Sequence, residues 1–140
     1  PLPAALAEAL SAELKASHCG LLPDAAIPGL AAAQRYRDAH LAAALVGAAD
    51  RHGTAFLLAG NGHVRSDRGV PLALRRMAPD KNVATVMLIE VEDGKTDPTA
   101  YIARDPAGAP AADYVVLTPR TAREDPCEAM RRHVQGKAKK

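Results

Sequence analysis

Tryptophan is missing from this chain of 140 residues, phenylalanine occurs once and tyrosine three times. Any apolar slot must therefore be walled by leucine and alanine rather than by rings. An excess of one charge is lacking too. Eighteen lysines and arginines stand against 16 acids, with the basic surplus largely in residues 131–140, which argues against a cationic stripe for nucleic acid. No window approaches the roughly 20 apolar residues of a membrane span, and no charged start followed by an apolar core marks a secretory leader. The first residue is not methionine, so the chain reads as a processed or excised piece. The two cysteines, Cys19 and Cys127, form no CxxC pair. That argues against a zinc knuckle or thioredoxin-type motif and leaves open whether the two are bonded. Neither a G-x-S-x-G elbow nor an H-E-x-x-H helix is present.

What is there suffices for one domain with a real core, expected over residues 1–134, followed by a disordered basic tail at 135–140. Leu6, Leu10 and Leu14 recur at four-residue spacing, which predicts an amphipathic helix over residues 2–17 that stops near Gly20. A longer helix is expected over 28–50, stopped by His52-Gly53. Short apolar runs at 54–59, 83–91 and 113–118 read as strands, with helices at 71–77 and 126–134. Tyr101 to Ala103 reads as a short extended piece. Helices alternating with continuous apolar strands predict an α/β fold, a parallel sheet flanked by helices. Three strands make only a partial sheet, and bare strand edges are costly. Part of the sheet is therefore expected to be absent from the chain or supplied by a partner, and the chain is expected to associate.

The run "LLAGNGHVRSDRGVP" ends an apolar segment in glycines, a histidine and two arginines. Beyond the carboxyl end of a strand, such a turn is where α/β sheets gather ligands. There the glycines permit close backbone approach or positive φ, His63 is a candidate proton carrier or metal ligand, and Arg65 and Arg68 offer forks of donors to carboxylates or phosphates. The competing reading is a tight turn whose histidine merely bonds backbone. In "LAAAQRYRDAHLAAAL", Leu30, Gln34, Arg37, Asp38, Leu41 and Leu45 share one helical face. Burial of Arg37 and Asp38 would demand partners, and the loop that holds His63 is the expected source. A solvated polar edge is the alternative. Tyr36 and His40 sit one turn apart on the other side, a pair able to grip a metal or porphyrin edge, or an ordinary surface pair. His18 is expected to meet the last carbonyls of its helix, and Tyr114 to pack in the core.

Together "SHCGLLP", "AQRYRDAHLA", "LLAGNGHVRSDRGVP", "DYVVLTP" and "EDPCE" resemble the C-terminal half of the ChaN-like haem-binding lipoproteins, in the wider Tiki and erythromycin-esterase superfamily. Gly60 with His63 resembles that family's second G-x-x-H motif. Arg37-Asp38 followed by Leu41-Ala42 resembles its "RDxxMA" helix, with leucine for methionine. The family's first half, with a glycine-glutamate-histidine motif, and its lipidated N-terminus have no counterpart in the chain. The resemblance thus implies the C-terminal portion of a larger three-layer domain, half of a site, and completion by the other half or by a homo-oligomer. It further implies a haem-binding protein of bacterial iron uptake on the periplasmic side of the cell envelope. Membrane contact would come only through an absent lipid anchor. Haem needs an apolar slot, an axial ligand and cations for its propionates. Tyr36 is the candidate ligand to the haem iron, with His40, His63 and Arg65 as further haem-binding candidates and Arg35 and Arg68 as added cations. The rival expectation is a hydrolase in which His63 is the general base or a metal ligand, Arg37 stabilises developing negative charge, and Asp38 completes the site.

Overall fold

A computed structural model describes residues 1–137, and residues 138–140 lie outside the described part. The chain opens with helix α1, Ala4–Ser17, whose leucine row turns Leu10 and Leu14 inward against Ile27. The helix ends in a Schellman turn, with the Gly20 N–H donating to the Lys15 carbonyl at 2.9 Å and the Cys19 N–H to that of Ala16. Cys19 occupies the left-handed position usually left to glycine, with φ 59°. As expected, His18 Nδ1 meets a late carbonyl of the helix, that of Leu14, at 2.7 Å.

Helix α2, Ile27–His52, begins with Pro28 in its first turn and stops at Gly53, where φ is 78°. Four residues, Asn61–Val64, form the short helix α3, and Val70–Met77 form α4. Val70 and Leu74 of α4 pack on Ala42 of α2, and Leu41, Leu45, Leu57 and Val83 close around them. No described helix is long and apolar enough to cross a membrane.

The sheet is smaller than the sequence predicts. Strands β1, Val86–Glu90, and β2, Tyr114–Thr118, run parallel in register, Val86 beside Tyr114 and Leu88 beside Val116. The fold is therefore α/β with a parallel sheet, but residues 54–59 correct the third strand. They lie outside any helix or ladder. Leu57 turns toward the α2–α4 core, while Phe56 and Leu58 are 94% and 93% exposed. A ladder requires backbone donors facing acceptors about 4.8 Å away across neighbouring strands. Here the Leu88 carbonyl of β1 accepts instead from the Asn61 side chain at 3.0 Å.

Two tyrosines depart from the places predicted for them. Tyr101 lies at the end of a 3-10 turn, Pro98–Tyr101, rather than in an extended piece. It is buried, its hydroxyl accepts from the Glu92 N–H at 2.8 Å and donates to the Lys95 carbonyl at 2.9 Å, and the Lys95 ammonium stands 4.4 Å from its ring centroid. Tyr114 is 63% exposed, not packed in the core, because its face of the two-stranded sheet is bare. Helix α5, Pro126–Lys137, continues past the expected end at Val134. A Cys19–Cys127 disulfide ties its start to the end of α1.

The sheet begins at a reciprocal clamp. Thr85 donates to Asp113 Oδ2 from its backbone N–H at 2.8 Å and from Oγ1 at 2.7 Å, and Oγ1 accepts from the Asp113 N–H at 2.9 Å. These bonds, the hydroxyl's foremost, hold the Asp113 carboxyl below its ordinary value of 3.8. A carboxyl lowered by folding adds stability above its unfolded value and withdraws it as pH falls through the folded one. Thr85→Val should therefore raise the Asp113 titration midpoint toward the ordinary value, followed by carboxyl NMR, and flatten the acid dependence of sheet stability between that value and lower pH. An unmoved midpoint would mean that the hydroxyl does not hold this carboxyl.

Candidate functional site

Residues 60–69 lead from the unpaired segment at 54–59 into α4, and most of their polar groups are tied down. Asp67 is the hub. It accepts from Arg65 Nε and Nη2, both at 2.9 Å, and from Arg68 Nη1 at 2.6 Å. Arg65 also donates to the Arg104 carbonyl at 3.0 Å, and Arg68 Nη2 pairs with Glu13 of α1. The side chains of Arg65, Asp67 and Arg68 are nearly inaccessible, and Arg68 Nε has no partner among the described residues. The Ser66 N–H and carbonyl join this knot to the Ala111 carbonyl and to Arg75. Both arginines proposed as cations for a ligand are thus committed to holding the loop. Burial of guanidinium groups is tolerable only with such partners.

The glycines also divide differently from the motif reading. Gly60, with φ −62°, has a conformation open to any residue and no neighbour that a Cβ would touch. At Gly62 a Cβ would meet Glu13 Oε1 and Gln34 Nε2 at 3.2 and 3.3 Å. At Gly69 it would lie 2.3 Å from the His63 carbonyl oxygen and 2.8 Å from that of Arg65. Close approach, the reason given for glycine here, applies most severely to Gly69.

The knot delivers His63 to α2. His63 Nδ1 lies 2.6 Å from Asp38 Oδ1, and the side chains are 21% and 4% exposed. An ionised carboxylate only accepts, so Nδ1 is the donor to Asp38 and, in the neutral ring, Nε2 carries the lone pair. Burial pushes the Asp38 carboxyl above its ordinary value of 3.8, with the His63 bond opposing it and the charge of Arg37 a minor opposing influence. A buried carboxylate that fixes an imidazole's tautomer and aim is the arrangement of a general base or a metal-bound histidine. Among the described residues no third metal-capable side chain joins a cluster. Arg37, expected in the same cleft, is exposed: it is about 100° round the helix from Asp38, so burial of one turns the other out. Beside Asp38, between α2 and α4, lies a cleft of about 170 Å³ that Arg35, Arg68 and Arg76 line together with Leu72 and Met77.

The opposite face of α2 is open. Tyr36 is 67% exposed, and its ring centroid is 4.2 Å from that of His40, the planes inclined by 55°. Ala32, Ala33, Ala43 and Ala44, all exposed, lie one and two turns to either side along the same stripe. Tyr36 and His40 thus stand together, remote in direction from His63 and Asp38.

A sequence model described as haem-binding uptake, Tiki superfamily, ChaN, matches residues 2–74. The chain belongs to the ChaN family. No curated protein and no solved structure matches it. The ChaN match spans the Tyr36–His40 pair, the Asp38–His63 pair and the whole Arg65–Asp67–Arg68 knot, while "DYVVLTP" and "EDPCE" lie beyond it. Sequence reasoning missed Asp67, Glu13 and Gly69 in this ChaN chain. The first had a visible signal in the arginines that bracket it in R-S-D-R. Glu13 had none, being brought in by the packing of α1.

Proposed function

We propose that this chain binds haem for uptake on the open face of α2, with Tyr36 as axial ligand and His40 beside it. The Tyr36–His40 pair on an exposed helix face carries the reading, and membership of a haem-binding uptake family supports it. When bound, haem would supply a ferric iron able to take an oxygen ligand and two carboxylates that call for cations. The residues present fit it. Tyr36 projects an oxygen with no partner among the described hydrogen bonds, the alanine stripe leaves room for a flat apolar ring, and the exposed Arg37 beside the tyrosine is a cation for a propionate. Tyr101, by contrast, has its hydroxyl bonded to the Glu92 and Lys95 backbone. The Cys19–Cys127 bond fits an oxidising compartment such as the periplasmic side of an envelope.

The His63–Asp38 pair favours a second reading, a hydrolase of the same superfamily with His63 Nε2 as general base. A haem titration followed in the visible, run beside an assay with activated esters, separates the two. The haem reading expects saturable binding, unchanged in His63→Ala. Ester hydrolysis abolished in His63→Ala, with no saturable haem spectrum, would replace it with the hydrolase.

A further inference from the structure

The cleft between α2 and α4 gathers three guanidinium groups that neither haem nor ester hydrolysis uses. Arg35 of α2, Arg76 of α4 and Arg68, just before α4, line its volume of about 170 Å³. Arg35 and Arg76 are exposed, and among the described residues neither forms an ion pair. Arg68 differs. Its side chain is only 6% exposed, Nη1 is held by Asp67 and Nη2 by Glu13, and Nε has no acceptor among the described residues. A buried donor left over in this way is rare in folded proteins and points to a group that supplies the acceptor. Asp38 also lines the cleft, but His63 Nδ1 already engages its Oδ1. The lining thus carries three positive groups against one negative, and its remaining wall is apolar, with Leu2, Leu72 and Met77.

We propose that this cleft binds a small organic carboxylate, its head group held by Arg35, Arg76 and Arg68 Nε and its short chain laid on Leu2, Leu72 and Met77. Planar guanidinium forks match the two oxygens of a carboxylate, and one of those oxygens is the acceptor that Arg68 Nε lacks. Size limits the ligand. A water takes ~30 Å³ of liquid volume, so the cleft admits about six heavy atoms, a carboxylate with about three further carbons. Inorganic phosphate offers the arginines the same charge but gives the leucine and methionine side nothing to cover it, so the apolar wall decides for the organic acid. The occupant is separate from haem, because Arg35 and Asp38 turn toward α4 while Tyr36 and His40 project from the other side of α2.

Titration of the full chain with sodium butyrate at constant ionic strength, followed by NMR of the arginine Nε–H and the leucine and methionine methyl signals, tests this. The expected result is saturation with a dissociation constant on the order of 1 mM, as so few heavy atoms allow, with the largest arginine shift at Arg68 Nε–H. Arg35→Gln with Arg76→Gln should weaken binding by about tenfold or more, as the loss of two charge-assisted partners implies. Both positions are exposed, so circular dichroism should report an unchanged fold. Arg120→Gln, which removes an exposed cation outside the cleft, should leave the titration as it is. Phosphate should bind more weakly than butyrate, and butanol should not saturate. A linear response to butyrate without saturation, an affinity that the double substitution leaves unchanged, or phosphate or butanol binding as tightly as butyrate would each overturn the proposal.

Discussion

Gly69→Ala should destabilise the chain by more than about 3 kcal/mol, enough to unfold most of it if its stability is ordinary. The added Cβ would sit 2.3 Å from the His63 carbonyl oxygen and 2.8 Å from that of Arg65. Both obstacles are backbone, and the Gly69 N–H already donates to the Arg65 carbonyl at 2.8 Å, which closes the turn. Relief therefore requires the loop to open, and with it the knot of Arg65, Asp67 and Arg68. Gly62→Ala is the control. Its Cβ meets only the ends of Glu13 and Gln34, which can swing aside, so its cost should stay within roughly 1 kcal/mol. Urea unfolding of both variants checks the contrast, and equal losses would show that the turn is not as tight as its geometry implies.

Asp38 should give opposite results for two substitutions. Asp38→Ala leaves His63 Nδ1 without its acceptor and opens a hole beside Ala42, for a loss of about 1–3 kcal/mol. Asp38→Asn keeps an oxygen at the same place and removes a charge that burial disfavours, so its stability at neutral pH should equal or exceed that of the wild type. The pH dependence carries the sign. A carboxyl whose folded value is raised gives the folded state more bound proton than the unfolded one, so its contribution is present below the ordinary 3.8 and is lost as pH rises through the raised value. The advantage of Asn over Asp should grow across that window and then level off. If Asp38→Asn is as destabilising as Asp38→Ala at every pH, the charge itself is what His63 holds.

Local pattern was enough for the longer helices. The four-residue leucine spacing of α1, the Gly53 stop of α2 and the short apolar repeat of α4 each depend on neighbours within a turn or two, and each formed where that spacing placed it. The sheet depends on what lies across from it, which periodicity does not reveal. Residues 54–59 have a strand's composition but no ladder. Tyr114 reads as core from "DYVVLT" because one apolar face was assumed to be covered. The pairing of Asp38 with His63 was legible, since a carboxylate on a helix's inward face needs a donor from a nearby loop. The fates of Arg65 and Arg68 were less so. A guanidinium looks the same in sequence whether it awaits a ligand or locks a turn, and only the buried Asp67 between the two distinguishes the cases.

The account rests most heavily on Tyr36, and the spectrum of the ferric haem complex of Tyr36→Phe tests it most directly. The substitution keeps the ring against His40 and removes only the exposed oxygen, so α2 should be undisturbed, as circular dichroism can verify. The predicted result is loss of the tyrosinate-to-iron charge-transfer band and haem affinity weaker by about tenfold or more, on the order of 1.4 kcal/mol. A band and an affinity unchanged from the wild type would contradict the assignment of the haem to this face of α2.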